Sequence, residues 1–162
     1  MNTSKSTGTF LDSSIIINAI VETELTKFTD RVFERFPLIT SETVIDESVY
    51  VIIRKLFAEM GVKNRFDVKR KLQTPEGEEI IEEAITLVTE LIEERNVAIV
   101  RDADIYLTLA TMKKYSLLPH DAKIIATMLQ NGIRELATFD EDYKVVQGIV
   151  LLPREYWEKK KD

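Results

Sequence analysis

The sequence contains no cysteine, which excludes disulfides, thiolate metal sites and cysteine nucleophiles. It has one histidine, His120, beside a turn. A lone histidine in that setting is more often structural or exposed than a general base, so it stays outside the catalytic set. Long apolar runs are also lacking. The longest, such as SVYVII and SIIINAI, are far too short to span a bilayer. Positive charge is in deficit, with a formal net charge of -6. That argues against a simple cationic nucleic-acid binder, whose affinity comes from Lys and Arg on phosphates. It does not exclude an enzyme whose acidic site holds divalent metals, because bound cations reverse the local sign. No Gly/Ser linker divides the chain, so its 162 residues are expected to form one domain. The polar opening MNTSKSTG lacks the apolar segment of a secretory signal. Residues 1–8 are expected to be a disordered lead-in, and the location to be cytoplasmic.

What is present is an alternation of short strands and helices. Residues 9–12 read as a strand, and Ser13 or Ser14 is placed to cap the helix that follows. In LTKFTDRVFERF, Phe28, Val32, Phe33 and Phe36 recur at helical spacing, and Pro37 ends that helix. A second strand, LIT, leads into the helix SETVIDESVYVIIRKLFAEM, closed by Gly61. Residues 62–95 are the most polar part and read as a helical insertion or arm: a basic helix VKNRFDVKRKLQ, then an amphipathic helix. NVAIV is a third strand, followed by a helix with Asp102 as its expected cap. A turn at Leu118-Pro119 opens a helix that ends at Gly132. ELATFD and GIVLL are the fourth and fifth strands, and REYWEKKKD a final short helix. Such alternation predicts a three-layer α/β/α fold around a central parallel sheet of about five strands.

In open parallel sheets, functional groups gather outside the carboxyl ends of the strands. Asp12 follows the first strand and Asp140 the fourth. Glu47 shares an apolar helical face with Val44 and Val51, and Asp121 opens the helix AKIIATML. Each aspartate alone fits a cap or a turn. A glutamate on an apolar face has no such simple role. Four carboxylates without evident basic partners point to a hard cation, because Mg²⁺ and Mn²⁺ prefer oxygen ligands. A pair of such ions can activate water and stabilise the leaving oxygen in phosphodiester hydrolysis.

The same blocks resemble the PIN domain family from Thr9 to about Leu152. FLDSS is similar to the first-strand block with its opening aspartate. TSETVIDESVYVI is similar to the second, a serine followed six residues later by a helical glutamate, which selects Glu47 over Glu42 or Asp46. LPHDAKIIATMLQNGI and LATFDEDY resemble the third and fourth. The resemblance implies a Mg²⁺- or Mn²⁺-dependent ribonuclease. It implies metal ligation by Asp12, Glu47, Asp121 and Asp140, with Asp142 as a fifth carboxylate. It also implies supporting hydroxyls on Ser13 and Thr138. RNA would be the substrate, with Arg54, Lys55, Lys63, Arg65, Lys69, Arg70 and Lys71 as the candidates to hold it and Phe66 available for stacking; a solvated helix face is the alternative for the 63–71 cations.

In a toxin-type member the partner would be a small antitoxin, with an arginine for the acidic site. The apolar surfaces of residues 14–36 and 80–92 are candidates for a homodimer or partner face, with ordinary core packing as the alternative. Two features depart from the commonest short toxin form: Lys123, where many relatives have an aliphatic residue, and the long 62–95 region. The competing reading is a PIN-like RNA-processing or partner-binding module with little or no nuclease activity. An aspartyl-nucleophile phosphohydrolase is disfavoured, because position 14 is serine where Asp-x-Asp would need a second carboxylate.

Overall fold

The computed structural model describes residues 7–161. Five short strands carry the fold: β1 (Thr9–Leu11), β2 (Leu38–Ser41), β3 (Ala98–Val100), β4 (Glu135–Ala137) and β5 (Val150–Leu152). All neighbouring pairs are parallel, in the order β3-β2-β1-β4-β5. The predicted central parallel sheet is therefore present. β1 is central and buried along its whole length, as its unbroken apolar run Phe10-Leu11 requires. β3 is an edge strand and shows Ala98 and Ile99 to solvent.

The chain leaves β1 first toward β2 and β3, then returns on its other side to β4 and β5. Strand order thus reverses at β1, and a cleft at that switch point lies outside the strands' carboxyl ends. Asp12 follows Leu11 at that point, with its N–H donating to the Ala137 carbonyl at 3.0 Å.

The helices are α1 (Ser13–Ile20), α2 (Thr26–Phe33), α3 (Glu42–Glu59), α4 (Arg65–Lys71), α5 (Pro75–Glu94), α6 (Ile105–Tyr115), α7 (Pro119–Gln130) and α8 (Arg154–Lys159). Ile15, Ile16, Val44, Ile52, Ile124, Ile125 and Met128 bury the inner faces of α1, α3 and α7 in one core. α5 is not a free arm. Ala84, Val88 and Ile92 recur every four residues and join that same core, while Ile80 packs with Phe57 and Val68 in a satellite cluster under α4. Thr74 caps α5 by accepting from the Gly77 N–H, and Pro75 occupies the first turn.

Several local expectations are corrected. α2 ends at Phe33, and Phe36 lies beyond it, 88% exposed. Neither Ser13 nor Ser14 caps α1; the cap position is Asp12, with no side-chain cap bond. Asp102 does not cap α6, since Asp104 does so by accepting from the Leu107 N–H. The surfaces of residues 14–36 and 80–92 are largely core: Ile15, Ile16, Ile17, Val32, Ala84, Val88 and Ile92 are all buried. Of the lead-in, residues 1–6 lie outside the described part. Thr7 donates to the Asn131 carbonyl at 3.0 Å, and Gly8 is buried beneath Pro37 and Ile39. Among the described residues no helix is long and apolar enough to cross a membrane.

Candidate active site

Asp12 is 4% exposed and has no cationic partner among the described residues. Two hydroxyls supply what a buried carboxylate needs. Thr138 Oγ1 donates to Asp12 Oδ2 at 2.6 Å, and Ser14 Oγ donates to the same oxygen at 3.0 Å. Burial outweighs them and pushes the Asp12 carboxyl up to about 6, with the Glu47 charge adding to the rise.

The hydroxyls are themselves held. Ser14 Oγ accepts from the Phe139 N–H at 3.0 Å, and Thr138 Oγ1 accepts from the Asp140 N–H at 3.0 Å. α8 braces this corner from behind: buried Trp157 Nε1 donates to the carbonyls of Thr138 and Leu152, both at 3.2 Å. Ser13 and Thr138 are therefore beside the carboxylates as expected, and Ser14 joins them as a direct partner of Asp12.

Glu47 comes from the middle of α3. Ser13 Oγ donates to Glu47 Oε2 at 2.7 Å, and His120 Nδ1 lies 3.6 Å from that oxygen. The N-terminal end of α3 is fixed from β3's side of the sheet. Asp102 Oδ2 accepts from Thr43 Oγ1 at 2.6 Å and Asp102 Oδ1 from the Thr43 N–H at 3.3 Å. Asp102 thus performs the capping that Ser41, at the cap position, does not. The Ser41 hydroxyl is buried without a partner among the described residues.

Asp121 is in the first turn of α7, where its charge also suits the helix dipole. Tyr143, almost wholly buried in the short 3-10 helix Glu141–Val145, donates through Oη to Asp121 Oδ1 at 3.2 Å. Burial raises the Asp121 carboxyl above its ordinary range, and the Asp140 charge adds to it. Tyr143 is raised still more strongly, by burial and then by Asp12 and Asp121. Asp140 caps the 3-10 helix, accepting from the Asp142 N–H at 2.9 Å, while Asp142 is exposed. Electrostatic coupling thus links Asp12 with Glu47, and Asp121 with Asp140 and Asp142.

Tyr143 and His120 are the site neighbours to which sequence reasoning assigns no role there. Tyr143 is the last residue of the block LATFDEDY, so the signal was the hydroxyl on that ring. Among the described residues, no three His, Asp or Glu side chains converge into a ready coordination cluster. The four side chains are nevertheless all carboxylates, the oxygen chemistry that suits a hard divalent cation.

The cationic residues assigned to RNA lie away from this cleft. Arg54 and Lys55 are on α3 beyond Glu47. Lys63 precedes α4, and Arg65, Lys69, Arg70 and Lys71 are on it. Arg70 is paired with Asp67. Lys123 is half-buried on α7, and its carbonyl accepts from Thr127 Oγ1 at 2.7 Å.

Comparison with known proteins bears on the family and the fold. The PIN domain family model matches residues 9–149. Ribonuclease VapC6 of Methanocaldococcus jannaschii is 28% identical over 147 residues, covering 88% of this chain and 95% of that protein. Among solved structures, the sarcin-ricin loop cleaving toxin VapC20 of Mycobacterium tuberculosis superposes with a TM-score of 0.60 at 16% identity. That likeness covers 90% of this chain and 99% of the other. A chain of a toxin-antitoxin complex from Klebsiella pneumoniae gives a TM-score of 0.54 at 16% identity, over 88% and 95% of the two chains. These structural likenesses concern the fold. With the four acidic blocks in order around the switch point of a five-stranded parallel sheet, the chain belongs to the PIN domain family.

Proposed function

We propose that the protein is a Mg²⁺- or Mn²⁺-dependent endoribonuclease whose active site is formed by Asp12, Glu47, Asp121 and Asp140. The observation that carries this reading is Asp12, a carboxylate buried at the sheet's switch point with hydroxyl partners and no cationic side chain paired to it among the described residues. A buried ion is costly without a counter-charge, and a hard divalent ion would supply it. When bound, such an ion lowers the pKa of water and offsets charge developing on the phosphate and the departing oxygen.

The protein's own part is orientation. Thr138 and Ser14 both donate to Asp12 Oδ2, and the Ser13 backbone N–H also bonds the Asp12 carboxylate. Ser13 steadies Glu47, and Tyr143 steadies Asp121. Such outer hydrogen bonds aim metal ligands and tune their basicity. Asp142 serves as a fifth carboxylate at the rim, directly or through water. Arg54, Lys55, Lys63, Arg65, Lys69, Arg70 and Lys71 hold the RNA backbone.

The named relative, a VapC ribonuclease, and the fold shared with a chain from a toxin-antitoxin complex favour a toxin role, with a small antitoxin as partner. An arginine from that partner would suit the uncompensated acidic cleft. The activity is tested by incubating purified protein with labelled RNA and Mn²⁺. Internal cleavage that EDTA stops supports the reading, and intact RNA over a range of substrates overturns it.

A further inference from the structure

One face of α3 runs outward from the carboxylates. Glu47, Tyr50 and Arg54 follow one another at intervals of three and four, so they form a ridge on that helix. At about 1.5 Å rise per residue, Arg54 lies about 10 Å along the axis from Glu47. Tyr50 is 51% exposed. Arg54 is held in place between two elements. Its Nη1 donates to Tyr50 Oη at 3.3 Å and its Nη2 to the Lys63 carbonyl at 3.2 Å. Its remaining N–H donors are available to an anion.

The Arg54–Lys63 bond joins the ridge to the start of α4. There Asn64 caps the helix by accepting from the Phe66 N–H at 2.8 Å, which fixes the backbone at Phe66. Phe66 is 73% exposed, outside the cluster in which Val68 and Leu72 hold α4 to α3. Lys63, Arg65 and Lys69 surround it in sequence, exposed and without ion pairs among the described residues. In a chain of net charge -6, five cations within residues 63–71 are a local reversal of sign.

Two exposed aromatic rings on rigid helices, with a fixed guanidinium between them and cations around the farther ring, do not form an apolar patch. They match what a single strand offers: base faces for the rings and phosphates for the cations. A duplex hides its base faces, so it could use only the cations.

We propose that the ridge Tyr50–Arg54 of α3, continued by Lys63, Arg65 and Phe66, is a docking track for unpaired RNA that delivers the strand to the carboxylate cleft. Bases stack on Tyr50 and Phe66, and Arg54 takes the phosphate between them. The proposal rests on the ribonuclease reading, but its test does not depend on cleavage.

Binding is measured by fluorescence anisotropy with the full chain carrying Asp12→Asn, in EDTA, so that RNA stays intact. The probes are a labelled twelve-nucleotide oligoadenylate and a blunt RNA duplex of equal length. Adding Tyr50→Leu or Phe66→Leu should each weaken oligoadenylate binding about tenfold. Phe66→Tyr should leave it unchanged, and the duplex should bind at least tenfold more weakly than the single strand. Circular dichroism checks that each variant is folded. Parent-like affinity in both leucine variants, equal binding of the duplex, or no measurable binding by the parent overturns the track. The ribonuclease reading fails separately, if wild-type protein and Asp12→Asn cut RNA alike; the stacking losses could then still be observed.

Discussion

Thr138 Oγ1 donates to Asp12 Oδ2 at 2.6 Å and accepts from the Asp140 N–H at 3.0 Å, so one hydroxyl ties the carboxylate that follows β1 to the backbone that carries Asp140 after β4. Thr138→Val keeps the shape and removes both bonds. Outer-sphere partners of this kind are worth about 10–100-fold in metal affinity or activity. A loss of that size in cleavage rate and Mn²⁺ affinity is expected for Thr138→Val, and recovery to within a few-fold for Thr138→Ser. Calorimetric titration with Mn²⁺ and RNA cleavage kinetics read the two effects separately.

Asp12 contributes a defined part of the pH dependence of the metal-free fold. Its carboxyl is raised from an ordinary 3.8 to about 6 by burial. Between those values the folded state binds the proton and the unfolded state does not. Stability therefore falls as pH rises through this window, and at pH 7 Asp12 costs on the order of 3 kcal/mol. In EDTA, the melting temperature should rise as pH is lowered from 7 to 5. Asp12→Asn should raise stability at pH 7 and flatten that response. A wild-type profile with no rise below pH 7 in scanning calorimetry would show that Asp12 carries no such burial cost.

Tyr143→Phe leaves a ring in the core and removes the Oη bond to Asp121 at 3.2 Å. The fold should lose no more than about 1 kcal/mol, the net worth of one hydrogen bond. Mn²⁺ affinity should drop several-fold, because Asp121 is then free to turn from the cleft. Urea unfolding and Mn²⁺ titration together separate these effects; unchanged affinity would remove Tyr143 from the site.

Gly77 sits where α5 starts beneath the end of α4, and a Cβ there would run into the Lys71 carbonyl and the Leu72 backbone. Backbone cannot yield as a side chain can. Gly77→Ala should cost on the order of 2 kcal/mol and displace α4. Weaker RNA binding with the carboxylate cleft intact, read as an unchanged Mn²⁺ affinity, is the expected signature.

The site was legible where its chemistry coincided with the ends of elements. Asp12 and Asp140 follow apolar strand runs, and parallel topology brings such ends together whatever the details of helix length. Glu47 stood out because a carboxylate on an apolar helical face is unusual. Most partners were less legible because they lie far along the chain. Nothing local couples Tyr143 to Asp121, or Ser13 to Glu47. The Asp102 expectation failed because Asp102 and Asp104 both precede α6 and either can cap a helix. Only the fold, which brings the residue just after β3 to the start of α3, shows that Thr43 uses Asp102, leaving Asp104 to α6. Phe36 continued a helical spacing past the true end of α2, since periodicity registers apolar positions and not the turn toward β2. The 62–95 region looked like an arm for its polarity, yet its four-residue apolar repeat belongs to the core.

The central claim is that these carboxylates share a divalent ion, and the most direct measurement is anomalous diffraction from crystals soaked in Mn²⁺. A manganese peak between Asp12, Asp121 and Asp140, absent from Asp12→Asn crystals, is the predicted result. Manganese found only elsewhere, such as along the glutamates of α5, with none in this cleft, would contradict it.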